Sequence, residues 1–160
     1  MDNCFSAKVP MAFGFKIFTD PSGESVDHKT YRGTIGSHMY LTASRPNIVF
    51  ATGVCARYQA DLKVSHMTAA KQILRYLKGS KSLGLWYPAG NDFTDADHAG
   101  CRLDRKSTFD GCQFLGGRLV SWSSRKQSRV SLSTAEAEYV AAANCCSQVL
   151  WMKTQLLDYG

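Results

Sequence analysis

The stretch FTDADHAG, residues Phe93–Gly100, places two acids two positions apart after a short apolar approach and closes on a glycine. If the approach is a β-strand, alternating side chains put Asp95 and Asp97 on one side and Ala96 on the other. Two carboxylates on one side suit a hard divalent cation such as Mg²⁺, which also takes water and substrate phosphates. An Asp-x-Asp pair before a glycine is more often a solvated loop or cap, and the motif alone favours that plainer interpretation.

A second acidic group lies in Ser133–Tyr139, at the start of an apolar run. Ser133 and Glu136 have the spacing of a capping box, which predicts a helix beginning here and gives Glu136 a structural role. Glu138 lies about 200° around that helix from Glu136, so the two cannot do the same work. Glu138 is therefore either a carboxylate available for chemistry or part of a solvated helix face.

The second half of the chain has the pattern of a small sheet followed by a long helix. Glycines at 116 and 117 separate two strand-like runs, which predicts a hairpin. The capped helix is predicted from about Thr134 to Leu157. The predicted strands are Gly84–Tyr87, Gly111–Leu115, Arg118–Trp122 and Val130–Leu132.

The first half reads as helices after a turn-rich start. Residues 1–30 are interrupted by a loop at Asp20–Gly23, and we expect this segment to be poorly packed. A helix is predicted from about Tyr31 to Pro46, since proline disfavours helical geometry in the residue before it. A second helix, from Ile48 to Tyr58, follows. Ser65 is predicted to cap a third helix that ends at about residue 79.

Ten blocks of the sequence, taken together, resemble the Pol polyprotein of copia-type retrotransposons. They stand in the family's order and cover most of the chain from about residue 19 onward. The blocks are Tyr31–Ser37, Tyr40–Pro46, His66–Lys71, Leu74–Gly79, Gly84–Pro88, Thr94–Asp97, Asp104–Thr108, Phe114–Gly117, Ser121–Gln127 and Leu132–Tyr139.

This resemblance implies an α+β chain with three parts. Residues 1–30 would be the poorly packed segment, 31–82 a helical reverse-transcriptase tail, and 83–160 an incomplete ribonuclease H-like unit with a hairpin packed on a long C-terminal helix. The family enzyme cuts the RNA strand of RNA–DNA hybrids with two divalent cations. The resemblance implies that Asp95 is its first metal-binding aspartate, that Glu138 is the glutamate on its first helix, and that Mg²⁺ is the cofactor of an active form.

Two departures from the family pattern favour an inactive chain. Several apolar residues that should precede the acidic pair are missing, so we expect Asp95 to lie on a loop instead of a strand. The sequence up to Gly160 also contains no match for the family's later Asp-Asn strand or its fourth acid. Two surviving carboxylates cannot hold a pair of cations rigidly. The sequence therefore predicts remnants of a metal site at Asp95 and Glu138 without catalysis.

Basic residues concentrate around the predicted hairpin. The chain has a net charge of +6, which permits a nucleic-acid partner without requiring one. The plain alternative is a solvated hairpin face, whereas the resemblance favours a patch that contacts the phosphates of an RNA–DNA hybrid or another nucleic acid. The candidates are Arg102, Arg105, Lys106, Arg125, Lys126 and Arg129, with Arg118 nearby in sequence.

The remaining features concern redox state, location and other partners. Six cysteines show no Cys-x-x-Cys spacing, which argues against a zinc site and favours reduced thiols in the cytoplasm or nucleus.

No run of about 18 apolar residues predicts a membrane span, and we expect no membrane partner. An incomplete sheet would leave an unpaired edge, which makes a protein partner at that edge, and an effector-like role, the remaining alternative.

Overall fold

A computed structural model of the chain describes residues 4–12, 17–84, 93–97, 106–115 and 118–158, and for 93–97 it describes the backbone alone. The chain divides into two compact units, Met1–Leu85 and Trp86–Gly160. The described part of the first unit is built from helices, and that of the second from an antiparallel sheet and a long helix. The predicted α+β class is thereby confirmed.

The helices of the first unit follow the predicted order with shifted beginnings. They are α1 at His28–Thr42, α2 at Val49–Ala56 after a 3-10 turn at Pro46–Ile48, and α3 at Val64–Gly79. α1 begins three residues before Tyr31 because the Asp27 carboxylate caps it, accepting from the backbone N–H of Thr30 at 2.8 Å.

The predicted cap of α3 at Ser65 is wrong. The backbone N–H of Lys63 donates to Nδ1 of His66 at 3.1 Å, so His66 supplies the side-chain acceptor at this helix start. Ser65 lies inside the helix and its hydroxyl donates to Asp20 at 2.8 Å. The helix begins at Val64 because the backbone N–H of that residue donates to the Glu24 carbonyl, which fixes the chain just before the first turn.

Residues before α1 contact the helices closely. Ile17 is only 6% exposed, and its carbonyl accepts a hydrogen bond from the Tyr58 hydroxyl at 2.7 Å. Nε2 of buried His66 donates to the Phe18 carbonyl at 2.8 Å, which is possible because Nδ1 is already an acceptor. Ile17 is therefore packed against the helices, which also satisfy its carbonyl and that of Phe18, while poor packing of residues 1–30 as a whole stays a prediction.

The core of the first unit lies between its three α-helices. Tyr31 is completely buried and its hydroxyl donates to the Cys55 carbonyl at 2.9 Å, which ties α1 to α2. Burial raises the pKa of the Cys55 thiol to about 12, so this cysteine is a protonated packing residue. Other members of the core are Ile35, Ile48, Ala51, Leu62, Ala70 and Ile73.

In the described part of the second unit, the sheet has the strand order β1-β2-β3. The strands are β1 at Phe93–Asp97, β2 at Thr108–Leu115 and β3 at Arg118–Lys126, and each neighbouring pair is antiparallel. Helix α4, Thr134–Asp158, packs against β1 and β2. The predicted hairpin and long C-terminal helix are confirmed.

Two strand predictions in this unit are wrong. Asp95 does not lie on a loop, because all five residues of β1 pair with β2, and Asp95 stands opposite Asp110. Backbone pairing with β2 thus stabilises the strand, although few apolar residues precede Asp95. Val130–Leu132 forms no strand but a bent connection to α4, in which Val130 and Leu132 are largely exposed. The strand predicted at Gly84–Tyr87 lies mostly outside the described residues.

Among the described residues, no helix combines the length and the apolar character that crossing a bilayer requires.

Burial of His38 on α1 makes the stability of the first unit depend on pH. The ring is fully buried, neither nitrogen has a partner in the described structure, and burial lowers the pKa of this histidine. Below about pH 6.5 the unfolded chain binds a proton that the folded chain excludes, so stability falls as the pH drops through that value. We expect His38→Phe to remove this loss and to stabilise the unit by about 1 kcal/mol at neutral pH.

Urea unfolding followed by far-UV circular dichroism across this pH range measures the effect. The matched control is His28→Phe at the exposed first position of α1, which should leave the pH dependence unchanged. An unaltered dependence on pH in His38→Phe would show that another group causes it.

Candidate nucleic-acid interface

The antiparallel register brings three chain segments to one end of the sheet of the second unit. Asp97 at the end of β1 pairs with Thr108 at the start of β2, and Thr108 pairs with Lys126 at the end of β3. Asp95 is two positions inside this end, in register with Asp110 and Ser124. The acidic stretch and the last residues of β3 therefore share the same end of the sheet, which we call the basic end.

Four of the six predicted phosphate-contacting residues lie at the basic end. Arg125 and Lys126 are exposed on β3, and Arg129 is exposed in the connection that follows. Lys106 is half-buried two residues before Thr108. Arg118 lies at the far end of β3, opposite Leu115, and does not belong to this group. Arg102 and Arg105 lie outside the described residues.

Gln127 anchors the basic end to α4. It is 4% exposed, and its backbone N–H donates to the Ser107 carbonyl at 2.8 Å. Its side-chain amide donates to the Ala137 carbonyl at 2.9 Å and accepts from the Ser131 hydroxyl at 2.9 Å. One buried side chain thus fixes the connection and the first turn of α4 against the sheet. The sequence analysis gave this residue no role, although it closes the Ser121–Gln127 block.

The start of α4 has the predicted capping box in a modified form. The backbone N–H of Glu136 donates to the Ser133 hydroxyl at 3.1 Å, as the spacing predicts. The Glu136 carboxylate accepts from the backbone N–H of Leu132 at 2.6 Å, one residue before the cap. Glu136 is therefore a structural residue, as the sequence analysis inferred.

Glu138 directly follows Ala137, whose carbonyl accepts a hydrogen bond from the Gln127 side chain. Glu138 therefore lies on the part of α4 that this hydrogen bond fixes to the basic end. Its side chain is exposed. The side chain of Asp95, the other predicted metal ligand, lies outside the described part of the chain. The backbone register of β1 and the contacts of Gln127 bring the backbones of Asp95 and Glu138 to the same end of the unit.

The residues that the structure describes do not assemble a cage for two divalent cations. Among them no group of three or more His, Cys, Asp or Glu side chains is arranged to hold a metal ion. Asp110, opposite Asp95, is an additional acid that the sequence analysis left without a role.

The electrostatic effect of Asp110 extends along β2. Burial first, and the Asp110 charge second, raise the pKa of the neighbouring Cys112 thiol. Cys112 is therefore a protonated thiol at neutral pH and not a reactive one.

Comparisons with known proteins find similar sequences in retrotransposon polyproteins. The sequence is 36% identical over 166 aligned positions to the retrovirus-related Pol polyprotein from transposon RE1 of Arabidopsis thaliana, covering 99% of this chain and 11% of that protein. It is 34% identical to the corresponding polyprotein from transposon TNT 1-94 of Nicotiana tabacum, covering 100% of this chain and 13% of the relative. The chain thus spans a small part of these relatives.

A third relative is a short protein, and most of its length aligns with this chain. The secreted RxLR effector protein 161 of Plasmopara viticola is 34% identical over 128 positions, which cover 76% of this chain and 90% of that protein. No family model matches the chain. No solved structure matches it either.

The two Pol polyproteins place this chain, whose own fold is α+β, among retrotransposon-derived polypeptides. The chain belongs to the family of copia-type retrotransposon Pol polyproteins.

Proposed function

We propose that the second unit descends from the ribonuclease H domain of such a polyprotein, that the first descends from the tail of its reverse transcriptase, and that the chain binds RNA–DNA hybrids through the basic end. The order of strand, hairpin and capped helix supports this descent, as do the Thr94–Asp97 and Leu132–Tyr139 blocks. The observation that carries the proposal is the grouping of Arg125, Lys126 and Arg129 at the basic end, where the acidic residues of β1 also lie.

The basic end suits a phosphate backbone better than a single small anion. Its exposed cations are spread over the end of β3 and the connection after it, so they can contact successive phosphates along a strand. None of them needs to read a base, which fits recognition of a hybrid by its backbone and shape. Lys106 would add a contact from the start of β2.

We infer further that these 160 residues do not cleave the hybrid by themselves. In an active form of this chain, Asp95 and Glu138 would hold Mg²⁺, which would stabilise the negative charge that develops on the phosphate during cleavage. Only these two acids match the family pattern, and a pair of cations needs additional carboxylates around it. The basic end would then retain binding without chemistry.

A labelled RNA–DNA hybrid incubated with the chain and either Mg²⁺ or Mn²⁺ tests this inference. We expect the RNA strand to stay intact at protein concentrations that saturate binding. Cleavage that disappears in Asp95→Asn but persists in Asp158→Asn, a change at the far end of α4, would contradict it. Binding of the intact hybrid in the same samples separates a lack of chemistry from a lack of binding.

One observation favours a second candidate function, a recruited protein-interaction role. The effector-named relative aligns over 90% of its own length with this chain, so a short protein of this family carries a name unrelated to nucleic-acid chemistry. Within the described sheet, β1 and β3 each pair with one strand only, which leaves edges that another chain could extend.

The two candidate functions differ in their response to charge. Replacement of Arg125, Lys126 and Arg129 by glutamine should weaken hybrid binding strongly, whereas a partner that extends a sheet edge through backbone hydrogen bonds should be retained. A chain that purifies with no associated protein and still binds hybrid would count against the second candidate.

A further inference from the structure

The outer face of α4 carries an apolar stripe that the sheet does not cover. Ala137, Ala141 and Cys145 are buried on the side that packs on the sheet. On the opposite side, Tyr139, Leu150 and Leu157 are 80%, 64% and 71% exposed. With Ala143 and Cys146 between them, these exposed residues recur at spacings of four, three, four and seven, which fits the seven-residue repeat of a coiled-coil seam.

The same repeat continues through two charged positions. Glu136 lies three residues before Tyr139, and Lys153 lies three residues after Leu150, so each occupies a seam position near one end of the helix. From Glu136 to Leu157 the stripe is about 32 Å long at 1.5 Å per residue. Its charges are opposite at the two ends, and its smallest side chains are in the middle.

This pattern is complementary to itself when one copy of the helix is reversed. Reversal about a point between residues 144 and 145 places Tyr139 opposite Leu150 of a second copy and Ala143 opposite Cys146. It also places Glu136 opposite Lys153, once at each end of the pair. The small central residues allow the two helices to approach closely, while the larger residues fill the space on either side.

Charge selects the reversed arrangement over the parallel one. In a parallel pair with matched ends, Glu136 would face Glu136 and Lys153 would face Lys153, which is repulsive at both positions. Reversal converts both into attractive pairs. We propose that the chain forms an antiparallel homodimer through the outer face of α4, with a second copy of the chain covering Tyr139, Ala143, Cys146, Leu150 and Leu157.

Sedimentation equilibrium of the full chain under reducing conditions tests the proposal over a series of concentrations. We expect a monomer–dimer equilibrium in which the mass rises from 17.7 kDa towards twice that value. Leu150→Glu should abolish the dimer, because it places a charge in the apolar part of the seam, opposite Tyr139 of the second copy. The matched control is Tyr40→Glu on α1, where an aromatic residue 84% exposed lies in the other unit and the dimer should be unchanged.

A second set of variants tests the charge pairs without relying on Leu150. Lys153→Glu should weaken the dimer about tenfold, because it creates like charges at both ends. Adding Glu136→Gln should recover part of that loss, and glutamine retains the capping box at the start of α4. A chain that stays monomeric at every concentration would overturn the proposal, because the outer face of α4 would then not bind a second copy of the chain. A dimer that survives both Leu150→Glu and Lys153→Glu would also overturn it.

Discussion

Replacing Arg125, Lys126 and Arg129 together by glutamine is expected to lower the affinity for an RNA–DNA hybrid about tenfold to a hundredfold at low salt. These residues are the exposed cations of the basic end in the described structure. Each contact between a cation and a phosphate releases counterions, so the logarithm of the binding constant falls linearly with the logarithm of the salt concentration. Loss of three contacts should therefore also flatten that salt dependence, by about one unit of slope for each residue.

Fluorescence anisotropy with a labelled hybrid at several salt concentrations measures both effects. The matched control replaces Lys29, Arg32 and Lys71 by glutamine, which removes the same charge from exposed positions on α1 and α3. An equal loss of affinity in both triple variants would mean that net charge, and not the basic end, determines binding. Full affinity in the first variant would contradict the proposed interface.

Gln127→Ala is expected to destabilise the second unit by about 2 to 3 kcal/mol. Its side chain is buried and makes hydrogen bonds to Ala137 and Ser131, so truncation leaves polar groups without a partner and opens a small cavity. Gln127→Glu should be similarly destabilising, because a carboxylate cannot donate to the Ala137 carbonyl. Both variants should also weaken hybrid binding, since the connection that carries Arg129 loses its anchor.

Tryptophan fluorescence during urea unfolding isolates this effect, because all three tryptophans of the chain, Trp86, Trp122 and Trp151, belong to the second unit. Gln155→Ala is the matched control, a half-buried glutamine late in α4, and should change stability by less than about 0.5 kcal/mol. If Gln127→Ala unfolds at the same urea concentration as the control, the anchor assigned to this residue is wrong.

Features that depend on neighbouring residues in the sequence could be predicted. The hairpin follows from the two glycines between strand-like runs, and the start of α4 follows from the Ser133 and Glu136 spacing. The Asp27 cap is equally local, but the apolar pattern of α1 indicates a helix only from Tyr31 onward. Its signal is an aspartate just before the first turn.

Features that depend on distant contacts could not be predicted. The strand at Asp95 is stabilised by backbone pairing with β2, which the sparse apolar residues around it do not indicate. Val130 and Leu132 look like a short strand, but their neighbours Ser131 and Glu136 satisfy polar groups locally and hold the connection bent. The role of Gln127 depends on its hydrogen bonds to Ser107, Ser131 and Ala137, which lie in three different segments of the chain. A single glutamine in a sequence does not indicate which groups it will contact.

The most direct test of the account is a nuclear magnetic resonance titration of the full chain with an RNA–DNA hybrid at low salt. The account predicts that the largest changes in backbone amide shifts occur at Lys106, Arg125, Lys126 and Arg129, while amides of α1 to α3 change little. An absence of shift changes at low salt, or changes concentrated on the helices of the first unit, would contradict the claim that the basic end is the nucleic-acid interface.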